Sequence, residues 1–234
     1  MAHAREAAGE VIVDVALQRK NMVESQVRPS DVTDRRIPRA MGDIAREAFV
    51  PTHLRAIAYM DEDLTLVRAA PGRPARGLMS PRAFARLVQL AAIEPTDVVL
   101  DVGCATGYSS AVIARLAETV VALESDPELA EIATRTLRDA GADNVVVVAG
   151  DLALGYAAEG PYDAIVVEGA IEDVGESLLD QLKDAGRLVA IKSAGPVSRA
   201  TLWRRLGATF DEREVFEASA PVLPGFALPR TFVF

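Results

Sequence analysis

Short apolar runs that close on an acid or a glycine, each followed by a helix-like stretch, recur through the central part of this chain. Val98-Val99-Leu100 runs into Asp101, and Thr119-Val120-Val121-Ala122-Leu123 runs into Glu124. Val145 to Val148 precedes Gly150-Asp151, Tyr162 to Val167 closes on Glu168, and Gly186 to Ile191 is a fifth run. These runs are brief, rich in β-branched residues and continuously apolar, which predicts strands buried on both faces. Helices are expected from about Tyr108, from Pro127 to Gly141, and from Val174 to Leu182. The second has an Ser125 or Asp126 cap, proline in its first turn, an apolar face of Ala130, Ile132, Ala133 and Leu137, and a glycine stop. Such alternation implies right-handed crossovers and an α/β fold, a mostly parallel sheet with helices on both faces. The ligand crevice then lies beyond the strands' carboxyl ends, where Asp101, Glu124, Asp151 and Glu168 fall.

The flanks are less regular. Apolar residues Val11, Val15 and Ala16 recur near helical spacing up to about Val23, predicting a leading helix. From Arg28 to Pro81 the chain is irregular, punctuated by Pro38, Pro51, Pro71 and Pro74, and suits either a substrate lid or a wrap over the sheet. Residues 1–81 are therefore read as a substrate-side region and 82–234 as the ligand-binding domain. At the far end, Thr209 to Phe216 and Arg230 to Phe234 read as an antiparallel strand pair, joined by a loop over Ala220 to Phe226.

The turn after the first strand carries the most specific chemistry. Gly103 and Gly107 let the backbone turn sharply and approach a ligand, with Cys104 and Ala105 between them and Tyr108 opening the helix. A dinucleotide fingerprint would need GxGxxG; here Ala105 and Tyr108 stand where its second and third glycines belong. What remains is DxGxxxG, the shape found in S-adenosylmethionine-dependent methyltransferases. Glu124 lies where an acid that grips both ribose hydroxyls is expected, with Ser125 beside it. Asp151 and the Leu152 amide are placed to take adenine's amino group and ring nitrogen.

Composition narrows the class. The chain has 234 residues, half of them apolar, enough for a substantial core, and its net charge of −9 argues against nucleic acid as partner. Arg68, Arg73, Arg76, Arg82 and Arg86 form a local basic cluster, read as a solvated face. Cys104, the lone cysteine, has no disulfide partner in the chain and is read as a small packing residue. No segment approaches the ~20 apolar residues of a membrane span and no signal-peptide core is visible, so a reducing, cytoplasmic setting is expected. Neither His3 nor His53 has a partner at metal-ligand spacing, and no metal site is assigned.

From about Met22 to Lys192 the sequence resembles the protein-L-isoaspartate O-methyltransferases. The resemblance rests on Met22-Val23-Glu24-Ser25-Gln26-Val27-Arg28-Pro29, Arg46-Glu47-Ala48-Phe49-Val50-Pro51 and Ala58-Tyr59-Met60-Asp61-Glu62-Asp63-Leu64. It continues through the Asp101 to Tyr108 loop, Gly150-Asp151, Pro161 to Ile165 and Gln181-Leu182-Lys183. It implies a Rossmann-like class I methyltransferase with a seven-stranded sheet, S-adenosylmethionine as cofactor, and isoaspartyl protein or peptide, or another small carboxylate, as substrate. It also assigns the cofactor loop to Asp101, Gly103 and Gly107, the ribose to Glu124 and the adenine to Asp151 and Leu152.

One segment departs from the family. Its members carry Thr-Ile-Ser-x-Pro before the first strand, with hydroxyls that hold the isoaspartyl group; here the segment reads Gly77-Leu78-Met79-Ser80-Pro81. A thioether donates no hydrogen bond, so Ser80 is the candidate replacement if the loop shifts register. Glu168 stands where the family usually has a small residue, as an acid or base near the methyl group or as a cofactor-facing or helix-capping carboxylate. Three readings follow: an isoaspartyl carboxyl methyltransferase, a methyltransferase with another acceptor, and a non-catalytic binding protein that keeps the cofactor fold.

Overall fold

A computed structural model describes residues 14–228 apart from 72, 194 and 196. Its centre is the expected α/β sheet. Five strands, β3 (Val98–Val102), β4 (Thr119–Glu124), β5 (Val145–Ala149), β6 (Tyr162–Ile171) and β7 (Leu182–Lys192), run parallel to one another. Two more, β8 (Arg199–Leu206) and β9 (Thr209–Glu217), add antiparallel at one edge, giving the order β5-β4-β3-β6-β7-β8-β9. The two-residue period of the strands divides the core into two layers: Val99, Ala164 and Val166 pack on one face, and Leu100, Val102, Ile165 and Val167 on the other.

The predicted helix after β4 is α5 (Pro127–Asp139), and Asp126 caps it by accepting from the amides of Glu128 at 3.0 Å and Leu129 at 3.3 Å. The helix expected over 174–182 shrinks to α6 (Glu176–Leu179), because β7 begins at Leu182, opposite Tyr162, four residues earlier than its apolar run suggests. At the edge, β8 and β9 form a hairpin through Gly207, whose φ of +63° suits glycine. The described antiparallel pair is 199–206 with 209–217, and the expected strand at Arg230 to Phe234 lies outside the described residues. The loop at 220–226 instead folds back on β6, Leu223 N donating to Ala170 O and Ala170 N to Pro221 O, both at 2.9 Å.

The region before Pro81 is more ordered than its prolines suggest. It holds α1 (Val15–Met22), continued by a π-turn at Val23–Val27, then α2 (Arg36–Asp43), two 3-10 turns and the hairpin of β1 (Leu64–Val67) and β2 (Arg76–Leu78). Pro81, read as the end of an irregular stretch, is the first residue of α3 (Pro81–Ala91), where its missing N–H costs nothing. Polar contacts, those of Arg46 buried, tie these pieces together. Arg46 is buried, donating to the Ala58 carbonyl at 2.8 Å and the Met79 carbonyl at 2.7 Å, while Gln26 donates to the Tyr59 carbonyl at 2.9 Å. Asp63 accepts from the Ser80 amide at 2.7 Å and Asp61 from the Arg82 amide at 3.1 Å. The wrap so built holds β2 and the Met79–Pro81 corner against the carboxyl ends of the strands.

Candidate active site

The turn between β3 and α4 (Tyr108–Ile113) has the conformation its sequence demands. Gly103 and Gly107 have φ of +86° and +92°, and Ala105 between them also takes a positive φ of 50°. A Cβ on Gly107 would lie 2.9 Å from Leu137, so the turn also needs glycine to seat α5 against it. Cys104 is buried, burial pushing its thiol well up, and it packs rather than faces solvent.

Asp101, next to last in β3, is fully buried. Its Oδ2 accepts from the Ser109 hydroxyl at 2.7 Å and the Ser110 hydroxyl at 2.5 Å, both in the first turn of α4, and its Oδ1 has no partner among the described residues. Burial pushes its pKa up to about 6, with the two serine hydroxyls pulling the other way. An orphaned, desolvated carboxylate oxygen is costly unless a ligand donor meets it. Tyr108 is buried beneath the Arg46 guanidinium, 4.6 Å from its ring centre, so it shapes the loop's underside.

Glu124, one strand over, has a partner that sequence reading missed. Arg76 grips it bidentately, Nε to Oε1 at 3.1 Å and Nη2 to Oε2 at 2.6 Å, with both side chains almost wholly buried. The amides of Ala105, Ser125 and Asp126 donate to the same carboxylate at 2.8, 2.8 and 3.0 Å. The basic cluster read as a solvated face is therefore dispersed: Arg76 is inside, Arg73 pairs with Asp126 and Glu128, Arg82 with Asp61, and Arg86 lies over the Phe216 ring. Arg76 also covers the glycine turn, its Nη2 lying 3.1 Å from where a Gly103 Cβ would stand, as does Leu223 of the folded-back loop.

Two cavities meet at Arg76. One, of about 510 Å³, runs beside Ser125, Asp126, Pro127 and Glu128. The other, of about 30 Å³, is lined by Asp63, Gly77, Met79, Glu168 and Leu223 among others. Met79 and Gly77 line this second cavity; Ser80 does not. Ser80 stands at the N-cap of α3, so the register shift that would bring its hydroxyl in is not taken. Gly77 is fixed by the hairpin itself, since a Cβ there would lie 2.3 Å from the Leu64 carbonyl oxygen. Glu168 is buried on β6 without a hydrogen-bond partner for Oε1, and burial together with nearby Asp101 pushes its pKa well above the usual carboxyl range. Asp151 lies at the surface beyond β5, where it caps the 3-10 turn at Leu152–Leu154 through the Ala153 amide at 3.0 Å, and Leu152 is buried beneath it. Among the described residues no cluster of His, Cys, Asp and Glu fits a metal ion.

Comparison with known proteins agrees with this geometry. The family model described as "Protein-L-isoaspartate(D-aspartate) O-methyltransferase (PCMT)" matches residues 17–201. The chain belongs to this isoaspartate methyltransferase family. A protein-L-isoaspartate O-methyltransferase of Methanoculleus marisnigri is 39% identical over 173 residues, covering 74% of this chain and 76% of that protein. One from Methanoregula boonei is 32% identical over 198 residues, covering 85% of this chain and 88% of its own. Among solved structures, a protein-L-isoaspartate O-methyltransferase superposes with a TM-score of 0.78 at 25% identity, over 88% of this chain and 66% of its own. A Plasmodium falciparum structure titled as a putative member, in complex with S-adenosyl-L-homocysteine, shares the fold with a TM-score of 0.72 at 18% identity, over 88% of this chain and 97% of its own. The fold is thus the Rossmann-like class I methyltransferase fold that family membership implies, and the N-terminal wrap from residue 17 onward falls inside the family match.

Proposed function

We propose that this chain is an S-adenosylmethionine-dependent carboxyl O-methyltransferase that esterifies isoaspartyl residues of proteins and peptides, a step in protein repair. The observation that carries the reading is the placement of Asp101 and Glu124 on adjacent strands, either side of a turn with two left-handed glycines, in a chain of this family. The cofactor is S-adenosylmethionine. Its loop is made by Asp101, Gly103, Cys104, Ala105, Gly107 and Tyr108, its ribose subsite by Glu124 and Ser125, and its adenine subsite by Asp151 and Leu152. Two features support the fit: the unpartnered Asp101 Oδ1, and a cleft of about 510 Å³ beside Ser125, within the range that small-molecule sites occupy.

Bound there, the cofactor supplies a methyl group on a positively charged sulfur. The chain's residues then have to orient a carboxylate, which is already ionised at neutral pH and needs no base. Positioning is therefore the main catalytic task, and it falls to the cavity around Gly77, Met79 and Glu168. Its Gly77–Met79 segment carries no hydroxyl and Thr65 of β1 is the one hydroxyl residue in the described lining, so each charged hydrogen bond of about 1.5–3 kcal/mol that Thr65 does not replace lowers the expected efficiency by about ten- to a hundred-fold. A second reading, methyl transfer to a different acceptor, is supported by the buried, unpartnered Glu168 in the same cavity. No described helix is long and apolar enough to cross a membrane, and the buried lone thiol suits a reducing, cytoplasmic setting.

The test is methyl transfer from labelled cofactor to an isoaspartyl peptide and to its normal aspartyl counterpart. Base-labile ester on the first alone is the expected result. Absence of ester on both, with cofactor binding retained, would replace the isoaspartyl reading by the second one or by a binding role.

A further inference from the structure

Arg76 stands between the two cavities and holds the acid assigned to the cofactor's ribose. Its guanidinium takes both oxygens of Glu124 and lies against the face of Gly103. With three backbone amides also donating to Glu124, little acceptor capacity is left for a diol. A ribose can gain Glu124 only if Arg76 gives it up.

A freed guanidinium needs an anion, since an unpaired buried charge is not tolerated. The cavity on the far side of Arg76 offers one. Glu168 lines it together with Arg76, is buried, and its enclosed Oε1 makes no hydrogen bond among the described residues. Of the other acids around Arg76, Asp63 accepts from the Ser80 amide and Asp101 Oδ2 from two serine hydroxyls, while Asp101 Oδ1 is the oxygen left for the cofactor. Arg46, the other cation near Glu168, is committed to the carbonyls of Ala58 and Met79. One cation between Glu124, which it serves, and Glu168, which nothing serves, makes a two-position switch.

We propose that Arg76 is a transfer latch: cofactor binding moves its guanidinium from Glu124 to Glu168, which clears the ribose subsite and recharges the substrate cavity in one step. The proposal rests on S-adenosylmethionine being the cofactor and Glu124 its ribose acid. Its consequence for recognition is specific. Before cofactor binds, the substrate cavity holds Glu168 without a counter-charge; afterwards it holds Glu168 beside a guanidinium, which brings N–H donors for a carboxylate. Cofactor binding would then precede productive substrate binding.

A double-mutant cycle in binding tests this, using calorimetric titration of S-adenosylhomocysteine into wild type, Arg76→Gln, Glu168→Gln and the double variant. Arg76→Gln removes the internal competitor and should tighten binding at least several-fold. Glu168→Gln removes the destination and should weaken binding about tenfold, an energy of about 1.4 kcal/mol. In the Arg76→Gln background the same Glu168→Gln change should alter the dissociation constant by less than about twofold, because no guanidinium remains to be received. An equal loss in both backgrounds would make Glu168 a direct ligand and overturn the latch. So would an unchanged Glu168→Gln, or weaker binding by Arg76→Gln. If wild type itself gives no binding, the cofactor reading falls and the latch with it. A crystal structure of the wild-type complex reads the same point without substitution: Arg76 within hydrogen-bond distance of Glu168 supports transfer, and Arg76 still on Glu124 refutes it.

Discussion

Replacing Arg76 by Met tests whether the buried pair with Glu124 is as closely made as its geometry indicates. The two side chains are 2% and 0% exposed, so neither charge has water to fall back on. Removing one partner of such a pair costs about 3–5 kcal/mol, because the other is left buried and uncompensated. Glu124 would keep the amides of Ala105, Ser125 and Asp126, which places this case at the lower end, at about 3 kcal/mol. For a chain of this size that is a fall in Tm of about 6–12 °C. Urea and thermal unfolding at pH 7 measure it, and the loss should persist at high salt, because a buried pair is little screened. In a cycle with Glu124→Gln, the double variant should be less damaged than the sum of the single ones. A loss below about 0.5 kcal/mol, the range of ordinary surface substitutions, would refute the buried pair, and the latch built on it would lose its first position.

Further consequences follow from the same site. The folded Asp101 holds its proton more tightly than the unfolded one, so its contribution to stability is full below about pH 4 and is lost as pH rises through about 6. Asp101→Asn should remove that part of the slope of unfolding free energy against pH between 4 and 7; parallel slopes in the two proteins would contradict it. Gly77→Ala should lower Tm by several degrees, since its Cβ would lie 2.3 Å from the Leu64 carbonyl oxygen, and an unchanged melting curve would show that the hairpin is looser than described. Met79→Ser restores a hydroxyl to the cavity lining and should raise kcat/KM for an isoaspartyl peptide by about tenfold, the effect of one hydrogen bond to a charged group; equal or lower kcat/KM would mean that the carboxylate is held elsewhere.

What was legible from sequence followed from strong local signals. The five parallel strands, the capped α5 and the glycine turn were marked by apolar runs, by Asp126 and Pro127, and by Gly103 and Gly107, each sufficient without tertiary help. The edge was not, because β8 mixes three arginines with Ala200, Leu202 and Trp203 and shows no clean alternation. The early start of β7 was hidden by Asp184, Ala185 and Gly186, where an αL residue and a glycine bend the strand before its apolar run begins. Arg76 was misplaced for a different reason: its partner lies 48 residues along the chain, and nothing in a basic stretch says which arginine goes inside. The signal that could have found it was the acid at the end of β4, which needs a counter-charge once buried. Ser80 was drawn into the site by its hydroxyl, yet its position before Pro81 makes it a helix start.

The central claim is that the turn between β3 and α4, with Glu124 beside it, is a cofactor site. Side-by-side calorimetric titration of S-adenosylhomocysteine into wild type and Glu124→Gln tests it most directly, with thermal melts confirming that both are folded. One site per chain in wild type, weakened about tenfold or more when the ribose carboxylate loses its charge, is the predicted result. No binding by wild type, or equal affinity in the two proteins, would contradict it.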